Sequence, residues 1–174
     1  MSVKGYSQYT VTTSGSAIWD LGAEYDYNSG HSYAENNLGI RYDGFQNRSN
    51  WNFGVALDFG HSKSGDALKV SGFGLSAGYR YGFGYATSGN GNFFGGIKTT
   101  LEFNTWKDAG GKIIFKETTF IPKIEGGYEA IFNTHGFAAP CLGYGYAINL
   151  TPAAEKKPDD GGRFIPGISV GYRF

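Results

Sequence analysis

WNFGVALDFG, residues 51–60, sets Trp51, Phe53, Val55, Leu57 and Phe59 against Asn52, Gly54, Ala56, Asp58 and Gly60. A period of two is the spacing at which side chains share one face of an extended strand, whereas a helix would scatter these residues around its axis. The stretch predicts a strand with one bulky apolar face and one face of small residues and single charges. The pattern spreads both ways. Residues 17–28 place Trp19, Leu21, Ala23, Tyr25 and Tyr27 opposite Asp20, Gly22, Glu24 and Asp26, and residues 37–44 place Leu38, Ile40 and Tyr42 opposite Gly39 and Arg41. Downstream, residues of about 69–84, 93–106, 112–132, 137–150 and 163–174 repeat the alternation, so eight strands are predicted in all.

Composition narrows what such strands build. The 174 residues hold 29 Gly and 17% aromatics. Gly weakens ordinary strands, so its frequency opposite aromatics calls for a structure in which one face has no room for bulk, as inside a narrow closed barrel. Lys+Arg and Asp+Glu are equal at 15 each, which leaves no basic field to hold nucleic acid. The single Cys141 forms no internal disulfide and is read as packing, and no His or Cys spacing suggests a metal or any other cofactor. No run approaches the roughly 18 apolar residues of a membrane helix. The mean hydropathy of −0.33 has a soluble look, but a membrane barrel strand is apolar only at every second residue, so its average looks polar.

Alternation alone leaves the sides open, because a soluble lipocalin-like barrel also alternates, with its apolar face inward. Here the polar face mixes Gly, Ala and Ser with isolated charges of both signs, which suits a cramped interior better than a solvated surface. The apolar face is nearly all Phe, Tyr, Trp, Leu, Ile and Val, with aromatics near strand ends, as a lipid-facing wall with interfacial girdles requires. The predicted fold is therefore an all-β, eight-stranded antiparallel up-and-down transmembrane barrel over about residues 16–174. One domain is expected over 1–174, with 1–15 as a periplasmic segment. MSVKGYSQYT has no secretory signal character, so on this reading a leader has been removed. The connections predicted at 45–50, 85–92 and 133–136 fall at one end. Those at 29–35, 61–68, 107–111 and 151–162 fall at the other, and the last contains AEKKPDDGG, the most polar stretch of the chain. Short turns mark a periplasmic end and longer polar loops an extracellular one.

The last eight residues, GISVGYRF, resemble the closing strand of bacterial outer-membrane barrels, and the whole strand pattern is similar to the OmpA/OmpX/Ail and opacity-protein-like type. The resemblance implies a Gram-negative outer-membrane location and an insertion signal, read by the insertion machinery, at Ile168, Val170, Tyr172 and Phe174. The chain is expected to be like OmpX or an isolated OmpA barrel, and a monomer.

The inward face collects the candidate site, a lumen charge network of Asp20, Glu24, Arg41, Asp58, Arg80, Lys98, Glu102, Lys123, Glu125, Glu129 and Arg173. Buried ions are tolerable when paired, so they are expected to interlock as a plug. Counted from the strand ends, Asp20, Arg41, Arg80 and Glu129 form a lower layer and the others, apart from Arg173, an upper one. The expected role is structural or surface-interacting, adhesion-like, without catalysis. A small gated, porin-like channel is the alternative. A lipid A-modifying enzyme using His31, Ser32, His61, Ser62 and Asp66 is the remote one, because no motif joins these loop residues into a nucleophile and base. The fifth and sixth strands are expected to overhang as a hairpin around 106–119, with an edge open to a host or surface protein. Lys63, Lys69, Lys107, Lys112 and Arg163 are candidates for lipopolysaccharide phosphates at the outer rim. Outer-membrane lipid and lipopolysaccharide are thus the expected partners.

Overall fold

The computed structural model describes residues 18–30, 33–46, 49–63, 68–85, 91–132, 135–151 and 161–174. The expected N-terminal segment 1–15 lies outside the described residues. Eight strands follow in order: β1 Ile18–Ser29, β2 Tyr33–Gln46, β3 Ser49–Ser62, β4 Lys69–Tyr85, β5 Gly91–Lys107, β6 Ile113–Phe132, β7 Gly136–Asn149 and β8 Gly161–Arg173. Each pairs antiparallel with the next, and β8 returns to β1, so the sheet is a closed barrel with no free edge strand. Closure matters in lipid, where an unpaired backbone group finds no water to bond.

The alternation marks the strands but understates the length of β2 and β3. β2 runs from Tyr33 rather than from about 37, and β3 from Ser49 to Ser62 rather than over 51–60. At those ends both faces are polar, as in Glu35, Asn36 and Asn37, and strand structure is held by lateral pairs such as Asn36↔Phe59 instead of by apolar burial.

Stagger sets which interior residues meet. The lateral partners starting at Asp20 are Asp43, Asn52, Gly78, Lys98, Lys123, Gly145 and Arg163. Since Ser29 faces Phe164 across the β1–β8 seam, the path returns to β1 at Gly30, ten residues above its start. Eight strands with this shear tilt by roughly 35–45° from the barrel axis, so side chains that meet across the lumen come from widely different heights along their strands.

The two faces separate cleanly. Leu57 and Ile124 are each 65% exposed, and Ile40, Phe53, Tyr144 and Ile168 also point outward. Inward positions are mostly small or polar, with apolar exceptions that include Phe94, Phe137, Ala139 and Cys141 near one end, Ile121, Ala147 and Ile165 farther up, and Val70 and Trp106 near the other end. A largely apolar outer wall around a polar lumen is the arrangement of a barrel whose solvent is lipid. The rim where β1 begins and β8 ends is called lower, and the opposite rim upper.

The predicted β5–β6 overhang is present as a hairpin closed through Gly111, whose φ of 84° favours glycine. Trp106 is no part of an open edge, however. It points inward, is 2% exposed, and stacks on Phe115 at 5.6 Å. Val70 and Leu68 pack against the same pair. An indole that can bury its ring and still donate its N–H to a carboxylate has more to gain in the lumen than in water.

Candidate functional site

The lumen holds three levels of charge. At the lower rim Arg173 grips Asp20 through two parallel bonds, Nε to Oδ1 at 2.9 Å and Nη2 to Oδ2 at 2.8 Å, and Nη2 also reaches Glu129 at 3.0 Å. The planar fork matches a carboxylate, and here it fastens the last strand to the first.

Above it lies the largest network. Glu24 accepts from Lys98 at 2.6 Å and from Arg41 at 3.4 Å, with Arg80 at 3.8 Å. Lys98 and Lys123 share Asp26 at 3.3 and 3.0 Å, and Lys123 also meets Glu125 at 3.1 Å. Arg80 Nε donates to Glu125, and Arg41 Nε to Asp43 at 2.7 Å. Arg80 also stacks its guanidinium over Phe94, 4.5 Å from the ring centroid, beside the cluster that buries Cys141. Four cations meet four carboxylates with almost no solvent contact, and the desolvation is repaid because every ion but Asp43 keeps at least two partners.

The upper level is different. Asn37 Nδ2 donates to Asp58 at 2.6 Å and to Glu102 at 3.4 Å, and Asn104 Nδ2 donates to Glu35 at 3.0 Å. Trp106 Nε1 and Asn149 Nδ2 donate to the two oxygens of Glu117 at 2.6 and 3.0 Å. Amides and an indole, rather than cations, hold most of these carboxylates. Arg163, 1% exposed, is the buried cation within electrostatic reach of Glu35 and Glu102 among the described residues.

Between the main network and the upper level lies a cavity of about 30 Å³, touched by Glu24, Asp26, Asn28, Lys98, Glu102 and Lys123. Its opposite wall is small, with Gly39, Gly54, Ala56, Gly74 and Ser76. This volume suits one or two waters.

All eleven sequence-derived lumen residues face inward, but their layers differ from those counted along the strands. Arg41 and Arg80, assigned low, join Glu24, Lys98, Lys123 and Glu125 in the middle, while Asp58 and Glu102 stand apart above them. The ten-residue stagger is the reason, since counting from strand ends treats the barrel as unsheared. Asp26, Asp43, Glu35, Glu117 and Arg163 belong to the same interior and were not chosen from sequence. Their inward parity was readable for Asp26 and Asp43, whereas Glu117 sits where KIIFKETTF blurs the alternation. Arg163 is corrected from rim to lumen, and Lys63 donates to Ser29 Oγ and the Gly30 carbonyl, both at 2.8 Å.

Of the residues weighed for nucleophilic chemistry, His31, Ser32 and Asp66 lie outside the described residues. His61 and Ser62 are neighbours on β3 and project to opposite sides. Among the described residues no three His, Cys, Asp or Glu side chains form a metal-holding group.

No protein-family model matches the chain, and no curated protein sequence does. Solved structures do. Neisserial surface protein A aligns with a TM-score of 0.60 at 14% identity, covering 90% of this chain and 95% of that one. The fold is that of the small outer-membrane barrels. The attachment invasion locus protein Ail of Yersinia pestis aligns at 0.53 and 11% identity over 91% and 97% of the two chains. The N-terminal barrel domain of Pseudomonas aeruginosa OprF aligns at 0.52 and 17% over 90% and 97%. At these identities the likeness lies in the fold and not in the sequence.

Proposed function

We propose that the chain is an integral protein of the bacterial outer membrane, a plugged eight-stranded barrel with a structural or surface-interacting role and no catalytic step. The observation that carries this reading is the interior, where Arg41, Arg80, Lys98 and Lys123 interlock with Glu24, Asp26, Asp43 and Glu125 and leave a cavity of about 30 Å³. Eight strands enclose just enough space for side chains, and here that space is used. Interaction falls to the upper rim, where the β5–β6 hairpin exposes Ile113 at 51% and Ile114 at 43%. Exposed apolar pairs on a projecting hairpin suit adhesion to a host or surface protein. Ile168, Val170, Tyr172 and Phe174 all face outward at the closing strand, as a signal read by the insertion machinery needs them to before the barrel closes.

Planar-bilayer recording of the purified protein tests the plug: no resolved single-channel conductance is expected, and steady ohmic steps would overturn it. The second reading, a small gated channel, is favoured by the internal cavity next to Lys98 and Glu102. It requires Lys98→Ala or Arg80→Ala to raise or alter the current.

A further inference from the structure

The outer wall ends differently at its two rims. Below, the outward residues of β3–β8 are aromatic or small, including Trp51, Tyr81, Phe83, Phe93, Phe132, Tyr172 and Phe174, and no Lys or Arg points outward there among the described residues. Above, on β3–β6, the wall turns basic within a few residues. Phe73 of β4 and Phe103 of β5 stack at 5.0 Å as the last aromatic tier. Ser71 and Thr105 pair above them, and above those Lys69 pairs directly with Lys107. Lys116 is the partner of Thr105, diagonal to Lys107, and His61 is the partner of Lys69. All share the lipid-side parity of their strands, and Lys69, Lys116 and His61 are exposed.

Like charges directly opposite on one face of a sheet stand about 5 Å apart at Cβ and repel. The other direct lysine pair, Lys98 and Lys123 in the lumen, shares Asp26 as a bridging carboxylate. The outer pair has no such bridge among the described residues. None of the three lysines has an ion-pair partner among the described residues, and Asp58, Glu102 and Glu117, the carboxylates of these strands near that height, point into the lumen. Asp108, in the hairpin turn, accepts from the Lys112 backbone N–H instead.

We propose that Lys69, Lys107 and Lys116, flanked by His61, form a site for the phosphomonoester headgroup of an outer-leaflet lipid of the lipid A class, whose acyl chains lie on the Phe73–Phe103 wall. The inference rests on the membrane reading above and adds the partner and its place. The row stands four residues, roughly 13 Å along the strand, above the aromatic tier, where headgroups begin beyond the hydrocarbon. Ammonium groups bind phosphate as point charges and tolerate a mobile headgroup, so a lysine row fits a lipid surface better than a rigid bidentate pocket would. Attraction of a basic residue to an anionic lipid surface is worth about a fivefold factor in binding, so losing all three should weaken it by roughly a hundredfold.

The test is native mass spectrometry of the detergent-purified full chain, titrated with diphosphorylated lipid A, enzymatically dephosphorylated lipid A, phosphatidylglycerol or inorganic phosphate. The expected result is retention of diphosphorylated lipid A over the other lipids, no displacement by millimolar phosphate, loss of roughly a hundredfold in K69Q/K107Q/K116Q, and retention in K69R/K107R/K116R. Equal retention by the glutamine variant, equal retention of dephosphorylated lipid or phosphatidylglycerol, or full displacement by inorganic phosphate overturns the site. Heat-modifiable gel mobility is recorded for every variant. Its absence in the wild-type protein would sink the barrel reading itself, whereas its presence with no lipid preference sinks only this inference.

Discussion

The middle and the upper lumen both bury carboxylates, yet they solve that burial in different ways. In the middle, Arg41, Arg80, Lys98 and Lys123 neutralise Glu24, Asp26, Asp43 and Glu125 at close range. In the upper level, Asn37, Asn104, Asn149 and Trp106 supply N–H donors to Asp58, Glu102, Glu35 and Glu117, and Arg163 supplies charge. Removing an ion from the first arrangement strands its partner; removing a charge from the second relieves neighbours of the same sign. The difference teaches that inward charge is no single quantity in a barrel. Position relative to the cations decides whether it locks the lumen or only occupies it.

The comparison breaks most visibly at Arg80. Arg80→Leu leaves Glu125 and Glu24 short of a cation in a nearly solvent-free site, and a loss of about 3–5 kcal/mol is expected in reversible urea unfolding from lipid vesicles. Replacing both Arg80 and Glu125 by Leu should cost less than the single change; a larger cost would mean that packing over Phe94, not charge, holds this level. At the lower rim, Arg173→Gln removes the bidentate grip on Asp20 and the bond to Glu129, for an expected loss of about 1.5–3 kcal/mol by the same measurement.

The upper level should respond weakly. Glu102→Gln keeps an oxygen for Asn37 and takes one ionisable carboxyl out of an acid-rich neighbourhood, so unfolding at neutral pH should move by less than about 1 kcal/mol in either direction. A loss as large as that of Arg80→Leu would erase the distinction. Smallest of all is Gly74→Ala beside the cavity. Its new methyl would meet Asp58 Oδ2 and Thr100 Cγ2 at 3.4 Å, ordinary contact, so a gain of about 0.4–1 kcal/mol is expected from lower unfolded-chain entropy. Gly96→Ala is the control that should lose stability, since its methyl would come within 2.3 Å of the Tyr79 carbonyl oxygen.

The sequence by itself determined the wall. WNFGVALDFG and its seven counterparts decide the strand count and the face of most strand residues, because a period of two is a local property of extended backbone. It also determined which charges lie inside, as Glu24, Arg80, Lys98 and Glu125 share that parity. Only the tertiary structure decided who meets whom. Lys98 binds Glu24 from 74 positions away, and Arg173 binds Asp20 from 153. Those pairings follow from the ten-residue stagger at which β8 closes on β1, a quantity summed over all eight registers and written in no single stretch of the chain. Trp106 shows the same limit: its parity allows the lumen, but the hairpin turn at Gly111 and the Glu117 acceptor across it decide that the ring goes there.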